Sequence, residues 1–173
     1  PAVFSLAAGL AADSAFAFIH HSTGIRVTLK TTSGTTSLTT SALTIGTIYH
    51  VAMTYNGTTV RLFLNGVVAD SHAATGTVIM KAWEDIRIGC PCTTWPDASS
   101  GSFSTAGQFD GLQISSVARW TSGFTPPTVK PTPDSSALLT LNFDSFTNDV
   151  ALATVGAATP AYLPWRNTGN NTE

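Results

Sequence analysis

Charged residues are scarce in this sequence. Lys, Arg, Asp and Glu make up 10% of the 173 residues, against about a quarter in an ordinary globular domain. The 8 basic and 10 acidic residues leave a net charge of -2. Nucleic-acid binding depends on a basic stripe that neutralises phosphates. This chain cannot supply such a stripe, so we expect no nucleic-acid partner.

Long apolar runs are also missing, although 43% of the residues are hydrophobic. A transmembrane helix needs about 20 consecutive apolar residues, and no stretch approaches that length. No basic and apolar leader opens the chain. We therefore expect a soluble protein without a membrane partner. Because the chain opens on Pro1 and not on Met, we also expect a processed chain or a segment of a longer one.

Helical periodicity is nearly absent, whereas Thr, Val and Ile are dense, which favours strands. The stretches AFAFIH (15–20) and GIRVTLKT (24–31) face each other across a Ser-Thr-Gly turn. In the second stretch Ile25, Val27 and Leu29 alternate with polar residues. This alternation predicts a strand with one face on the core and one face in water.

The clearest pattern is IYHVAMTYNGTTVRLFLNGVVADS (48–71). Asn56-Gly57 and Asn65-Gly66 are turn dipeptides that accept positive φ, and alternating runs flank each of them. The pattern predicts a three-stranded antiparallel meander. Residues expected to share a face are Val51, Met53 and Tyr55 on the first strand, and Val60, Leu62 and Leu64 on the second.

Further short strands are predicted at DIRIG (85–89), FDGLQISSV (109–117) and ALLTLNFD (137–144). Between the first two lies a long loop rich in Pro, Ser and Gly (90–108), and long loops in compact domains are often functional. The Pro-Thr-rich stretch 125–136 is expected to be an extended connector.

The stretch FDGLQISSVARWTSGFTPPT (109–128) has the pattern of a strand, one tight helical turn and a proline stop. A proline disfavours the helical conformation of the residue before it, so Pro126 and Pro127 end any helix here. We predict one short helical turn near 118–123.

Taken together, these segments resemble the laminin-G-like branch of the concanavalin A-like lectin/glucanase superfamily, in the type found in tailed-phage virion proteins. The resemblance covers about residues 45 to 144. The matching positions are His50, Asn65-Gly66, Gly89, Gly111, the run Ala118-Arg119-Trp120-Thr121 and the run Phe124-Thr125-Pro126-Pro127.

The resemblance implies an all-β fold, an antiparallel β-sandwich of the concanavalin A-like jelly-roll type, over residues 1–144. The remaining residues 145–173 are expected to be a C-terminal strand or tail that contacts a neighbour. The family's usual opening strands are missing ahead of residue 1, so they lie in a lost N-terminal portion or another segment supplies them. The resemblance also implies a structural clasp at the sandwich edge, formed by Arg119, Trp120, Phe124 and Pro126.

The segment PDSSALLTLNFD (133–144) follows the FTPP run. This succession is similar to that in modules of phage tail, fibre and decoration proteins. The resemblance implies a non-enzymatic virion-associated structural, decoration or adhesion module, located on a virion surface or outside cells. Its expected partners are other virion proteins, copies of itself or cell-surface glycans. The alternative is a secreted carbohydrate-binding lectin module, and a glucanase relic is the weakest interpretation.

Catalytic constellations are hard to assemble from this sequence. Glucanases of the superfamily pair two glutamates in one cleft, whereas the glutamates here are Glu84 and Glu173 alone. The four histidines lack a Gly-x-Ser-x-Gly elbow that would frame a nucleophile. They are His20, His21, His50 and His72. We expect structural roles for all four and no enzymatic activity.

No cofactor is expected, and calcium is the one metal that the resemblance leaves open. Calcium takes six to eight oxygen ligands, and the candidates are Asp70, Asp85, Asp97 and Asp110. Solvated loop aspartates are the favoured interpretation. Cys90 and Cys92 form a C-P-C pair without the second pair that structural zinc requires.

A sugar site needs an exposed aromatic platform with a hydrogen-bonding group beside it. TTWPDASS (93–100) offers Trp95 next to Asp97 on the longest loop, and these two residues are the candidate ligand-binding pair. The competing interpretation is that Trp95 pins its own loop and that Trp83 packs in the core.

Overall fold

The computed structural model describes residues 24–79 and 110–143, together with strands at 7–8, 16–21, 86–87, 152–153 and 161–162. The strands in chain order are β1 Ala7–Ala8, β2 Phe16–His21, β3 Gly24–Thr31, β4 Gly34–Thr39, β5 Val51–Tyr55, β6 Thr59–Leu64, β7 Val67–Ala73, β8 Ile86–Arg87, β9 Leu112–Ser115, β10 Ala137–Leu141, β11 Leu152–Ala153 and β12 Ala161–Tyr162. All their pairings are antiparallel. The all-β fold is confirmed. Within the described residues, no helix is long and apolar enough to cross a membrane.

The first sheet has the order β2–β3–β4. Val27 of β3 lies opposite Phe18 of β2 and Leu38 of β4. Because opposed residues in a ladder share a face, these side chains line one side of the sheet. Val27 and Leu38 are fully buried. The predicted alternation in β3 is therefore confirmed.

The second sheet has the order β5–β6–β7 and is the predicted meander. Asn56 and Asn65 lie in its two turns. The Asn56 side-chain oxygen accepts hydrogen bonds from the amides of Thr58 and Thr59, and Asn65 adopts a φ of 51°. The pairing of β6 with β7 shifts after Leu62, which makes a bulge in the edge strand. Asn-Gly chemistry thus fixes both turns, as expected.

Both faces of β6 are covered. Val60 and Leu62 are fully buried on one side, and Phe63 is fully buried on the other, since neighbouring residues in a strand point to opposite faces. We name the Leu62 side the inner face. It is the side of Asp70, which lies opposite Leu62 and whose carboxylate accepts a hydrogen bond from the Thr39 amide of β4 at 3.0 Å. The two sheets are linked through this face.

The predicted helical turn near 118–123 is wrong, because the backbone there makes a bend at residues 121–122. A helix would join the Phe124 amide to the Trp120 carbonyl. Instead the Phe124 amide donates to the Gly66 carbonyl at 2.9 Å. The Trp120 carbonyl accepts from the Thr54 hydroxyl at 2.8 Å. The amide and the carbonyl that would form the helical hydrogen bond are therefore both bonded to residues of the second sheet.

The chain divides into two compact units, residues 1–107 with 118–126, and residues 108–117 with 127–173. In the second unit β9 pairs with β10. A salt bridge of 3.1 Å joins Lys130 to Asp110 there, and Gln113 donates to the Thr132 carbonyl. The predicted domain boundary at residue 144 stays a prediction.

Candidate functional site

Residues 118–126, which we call the clasp, lie against the second sheet on the side of Phe63. Trp120 and Phe124 stack face to face, with ring centroids 3.9 Å apart and planes 7° from parallel. Phe124 also meets Phe63 edge-on at 5.3 Å. Ala52 and Thr54 share this side with Phe63, which we call the clasp face. An aromatic stack therefore closes one side of the meander.

His50 completes the aromatic cluster. Its amide donates to the Asn65 side-chain oxygen, and its carbonyl accepts from the Asn65 amide, so the β5–β6 ladder extends to this residue. Its ring lies 6.1 Å from Trp120 and 5.5 Å from Phe124, nearly perpendicular to both. The imidazole Nδ1 is buried and has no hydrogen-bond partner. Burial lowers the pKa of His50 below its ordinary value.

Gly66 allows the clasp to approach the β6–β7 turn. Its φ is 78°, in the left-handed region that favours glycine. A Cβ at this position would clash with the Phe124 carbonyl oxygen and lie 2.9 Å from Pro126 Cδ. The structure thus places Phe124 and Pro126 of the predicted clasp directly over this turn. Arg119, the remaining residue of the predicted clasp, is half-buried.

A shallow, open groove with a mixed polar and apolar lining lies where the clasp meets the start of β7. Its volume is about 570 Å³, and its lining comprises Gly66, Val67, Val68, Gly123, Phe124 and Thr125. Val67 is 68% exposed. None of the lining residues carries a charge. The groove therefore presents no charged side chain to a ligand.

The loop before β5 presents two exposed isoleucines. Ile45 and Ile48 are essentially fully exposed. The loop has a defined shape, because the Thr44 amide donates to the Tyr49 hydroxyl at 3.0 Å and the Thr47 amide donates to the Thr44 carbonyl. The hydrogen bond from Thr44 lowers the pKa of Tyr49. Single exposed apolar side chains are ordinary on protein surfaces, whereas contiguous apolar patches mark contact sites.

The described candidate metal ligands take part in structural contacts. Besides the Thr39 amide, the Asp70 carboxylate accepts from the Ser71 amide and lies 3.2 Å from His72 Nε2. Asp110 pairs with Lys130. In the part of the chain that the structure describes, no three His, Cys, Asp or Glu residues gather closely enough to hold a metal ion. The calcium hypothesis gains no support from Asp70 or Asp110.

Several candidates fall outside the described residues. They are Trp83, Glu84, Asp85, Cys90, Cys92, Trp95, Asp97 and Glu173. For His20 and His21 the structure describes the β2 backbone alone. The sugar-binding assignment of Trp95 and Asp97 therefore stays a prediction.

Paired antiparallel sheets with a buried apolar face define the class of β-sandwich domains. Within that class, the chain belongs to a laminin G family of the concanavalin A-like lectin/glucanases superfamily, whose model matches residues 2–122. The match starts well before the resemblance noted from residue 45, and it ends before Phe124. No curated protein and no solved structure matches the chain. A domain of this family fits a lectin-like or adhesion module.

Sequence reasoning missed the exposed residues Ile45, Ile48 and Val67. Isolated apolar residues in a loop resemble core residues when they are read from the sequence, because exposure depends on what packs over them. One signal was available. The segment 41–47 contains no charged residue and precedes the predicted meander, which begins at Ile48, so Ile45 had no predicted sheet face to join.

Proposed function

We propose that the protein is a non-enzymatic structural or adhesion module on the surface of a bacteriophage-like particle, where it decorates a capsid or forms part of a tail or fibre. Membership of the concanavalin A-like superfamily supports a module that makes contacts. The segment 124–144 supports the particle assignment, through its similarity to modules of phage virion proteins. The partners are neighbouring particle proteins or further copies of the chain.

The observation that carries this proposal is the exposure of three large apolar side chains at one end of the second sheet, those of Ile45, Ile48 and Val67. His50 joins the isoleucine loop to the Asn65-Gly66 turn, from which the groove begins. Ile45 and Ile48 therefore lie on the same end of the sheet as Val67. Burying one such side chain contributes about 1.5 to 3 kcal/mol. A neighbour that covered this end would gain several such contributions, one for each exposed apolar side chain.

The described polar side chains make structural contacts, which supports a role as a scaffold that presents its loops to neighbouring proteins. Asp70 links the two sheets of the first unit, and Asp110 pairs with Lys130 in the second. His50 packs in the clasp cluster. Each of these groups is engaged in holding the fold, which fits a rigid scaffold that offers its loops to neighbours.

The test is co-sedimentation with particles. We would tag the protein in cells that produce the particles, purify the particles on a density gradient and quantify the bound protein. The double variant Ile45→Ser/Ile48→Ser should reduce bound protein at least about tenfold, because about 1.4 kcal/mol corresponds to a factor of ten. Thr35→Ala, at an exposed polar position of β4, should bind like wild type.

Two results would contradict this proposal. Wild-type protein that stays at the top of the gradient, away from the particles, excludes a virion role. Equal binding of wild type and the double variant excludes the apolar end as the contact surface. Each variant is checked first for an unchanged melting temperature, so that loss of fold is not mistaken for loss of contact.

A carbohydrate-binding lectin module is the second candidate, favoured by membership of a superfamily that includes lectins. In this case Trp95 would stack on a sugar ring and Asp97 would accept its hydroxyl hydrogen bonds. A glycan array would compare wild type with Trp95→Ala, with and without calcium. Selective glycan binding that Trp95→Ala loses would establish the lectin function. The absence of binding by a folded wild-type sample would contradict it.

A further inference from the structure

The position of His50 beside the aromatic stack determines how it responds to a proton. The Trp120 and Phe124 rings are 3.9 Å apart, and His50 is at similar distances from both, 6.1 Å and 5.5 Å. A ring above one face of the stack would be much farther from the second ring. The imidazole therefore lies beside the edges of the stack, at about a right angle to the stacking axis.

This position is unfavourable for a cation. An aromatic ring is negative over its faces and positive at its edges, and a cation is attracted to the face. His50 meets the edges, so protonation gains no cation–π attraction there. Protonation also puts a hydrogen on both ring nitrogens, and the buried Nδ1 has no acceptor. Desolvation acts in the same direction, since it lowers the pKa of this residue.

The charged groups around His50 do not compensate. Among the described residues, β6 contributes Arg61 to the clasp face, opposite Thr54, and the clasp itself contributes Arg119. The neighbouring Tyr49 has its hydroxyl bonded to the Thr44 amide. β5 carries no charged residue, and Asp70 of β7 is on the inner face, against Thr39. No carboxylate of these elements faces the ring.

We propose that His50 makes the clasp an acid-sensitive latch, closed while the imidazole is neutral and released from the sheet when it is protonated. Hydrogen bonds from Thr54 to the Trp120 carbonyl and from Phe124 to the Gly66 carbonyl attach the clasp to the second sheet. Neither bond involves β3, so release of the clasp does not require the core of β3 to open. Release exposes Phe63 and both faces of the aromatic stack. The molecule would then offer a larger apolar surface in an acidic medium than at neutral pH.

Two-dimensional NMR on the intact chain tests the latch without any partner, so its outcome is independent of the proposed function. The amides of Gly123 and Phe124 report on the clasp, and the Val27 amide reports on the core. On titration from pH 7.5 to 5, the clasp signals of wild type should shift or broaden together with the His50 ring signals. The midpoint should lie below that of an ordinary histidine, about 6.5, and Val27 should not change.

Two variants separate the latch from general acid effects. His50→Phe keeps a ring beside the stack but cannot be protonated, so its clasp signals should stay at their neutral positions down to pH 5. His72→Gln removes an exposed histidine of β7. The clasp signals of this variant should respond to pH as those of wild type do. The proposal fails if the wild-type clasp signals do not respond to the His50 titration, if they still move in His50→Phe, or if Val27 changes with them. If His50→Phe does not fold, His50→Gln takes its place with the same expectation.

Discussion

Gly66 shows how one residue can determine whether a distant segment docks. Its left-handed φ is shared with Gly57 in the other turn of the meander, 78° against 91°. The surroundings of the two glycines differ. A Cβ at Gly57 would meet nothing within 4 Å, whereas a Cβ at Gly66 would collide with the clasp backbone at Phe124. A positive φ and a close approach of another backbone are therefore separate reasons for glycine, and both apply at Gly66.

Replacement of each glycine by alanine separates these demands. Gly66→Ala should reduce the free energy of unfolding by about 1 to 3 kcal/mol more than Gly57→Ala, because the two share the cost of positive φ and the first alone must displace backbone. Urea denaturation followed by circular dichroism measures both. Equal losses would mean that the turn accommodates the methyl group and that close contact with Phe124 is dispensable.

At the scale of elements, the clasp and the meander are complementary because each satisfies groups that the other leaves open. Thr54 is buried in the middle of β5, where its hydroxyl would lack a partner without the Trp120 carbonyl. The clasp in turn has no helix or strand of its own to satisfy that carbonyl. A buried polar group without a partner costs about 1 to 3 kcal/mol, so each element stabilises the other.

The Thr54→Val variant tests this dependence, since valine keeps the branched shape and removes the donor. We expect a loss of about 1 to 3 kcal/mol in the free energy of unfolding, because the Trp120 carbonyl is left unpaired. The matched control is Thr28→Val on β3, whose hydroxyl has an exposed partner in Ser37 at 3.3 Å and should cost less than about 0.5 kcal/mol. A Thr54→Val protein as stable as its control would show that water or a shifted clasp replaces the bond.

The sequence was most informative where local chemistry alone decides the structure. The alternation of Val27 and Leu29 and the Asn65-Gly66 turn predict β3 and the meander, and both predictions are confirmed. β4 was not predicted, because residues 34–39 hold Leu38 as their one large apolar side chain. Its strand conformation comes from pairing with β3 and not from its own pattern.

The clasp shows the opposite case, in which distant residues decide the structure. The pattern of residues 118–127 favoured a helical turn, and the bend arises from hydrogen bonds to Thr54 and Gly66. Partners more than fifty residues away cannot be read from a local window. The same reason explains why the exposed Ile45 and Ile48 were not foreseen as a surface, although the packing of Val60 and Leu62 was.

At the scale of the whole molecule, acid stability depends on groups whose pKa changes on folding. Burial lowers the pKa of His50 in the folded protein, so below about pH 6.5 the unfolded chain binds a proton that the folded chain resists. Stability from this residue is complete above that pH and decreases as the pH falls toward the folded pKa. The free energy of unfolding therefore falls as the pH falls, as expected for a histidine that the folded protein keeps neutral.

We therefore expect wild type to lose free energy of unfolding between pH 7.5 and 5.5, and His50→Phe to lose less over the same interval. Urea midpoints at each pH measure the difference between the two proteins. Parallel curves for wild type and His50→Phe would assign the acid sensitivity to other groups, the carboxylates first among them.

The sequence separation of the clasp from its sheet has a consequence for synthesis on the ribosome. The meander is complete once Ala73 has been made, but the segment that covers Phe63 begins about 45 residues later, at Ala118. At the usual 5 to 20 residues per second, this leaves about 2 to 9 s in which the nascent chain has an uncovered apolar side. A chaperone that binds the growing chain would find its site there, and would lose it when Phe124 arrives.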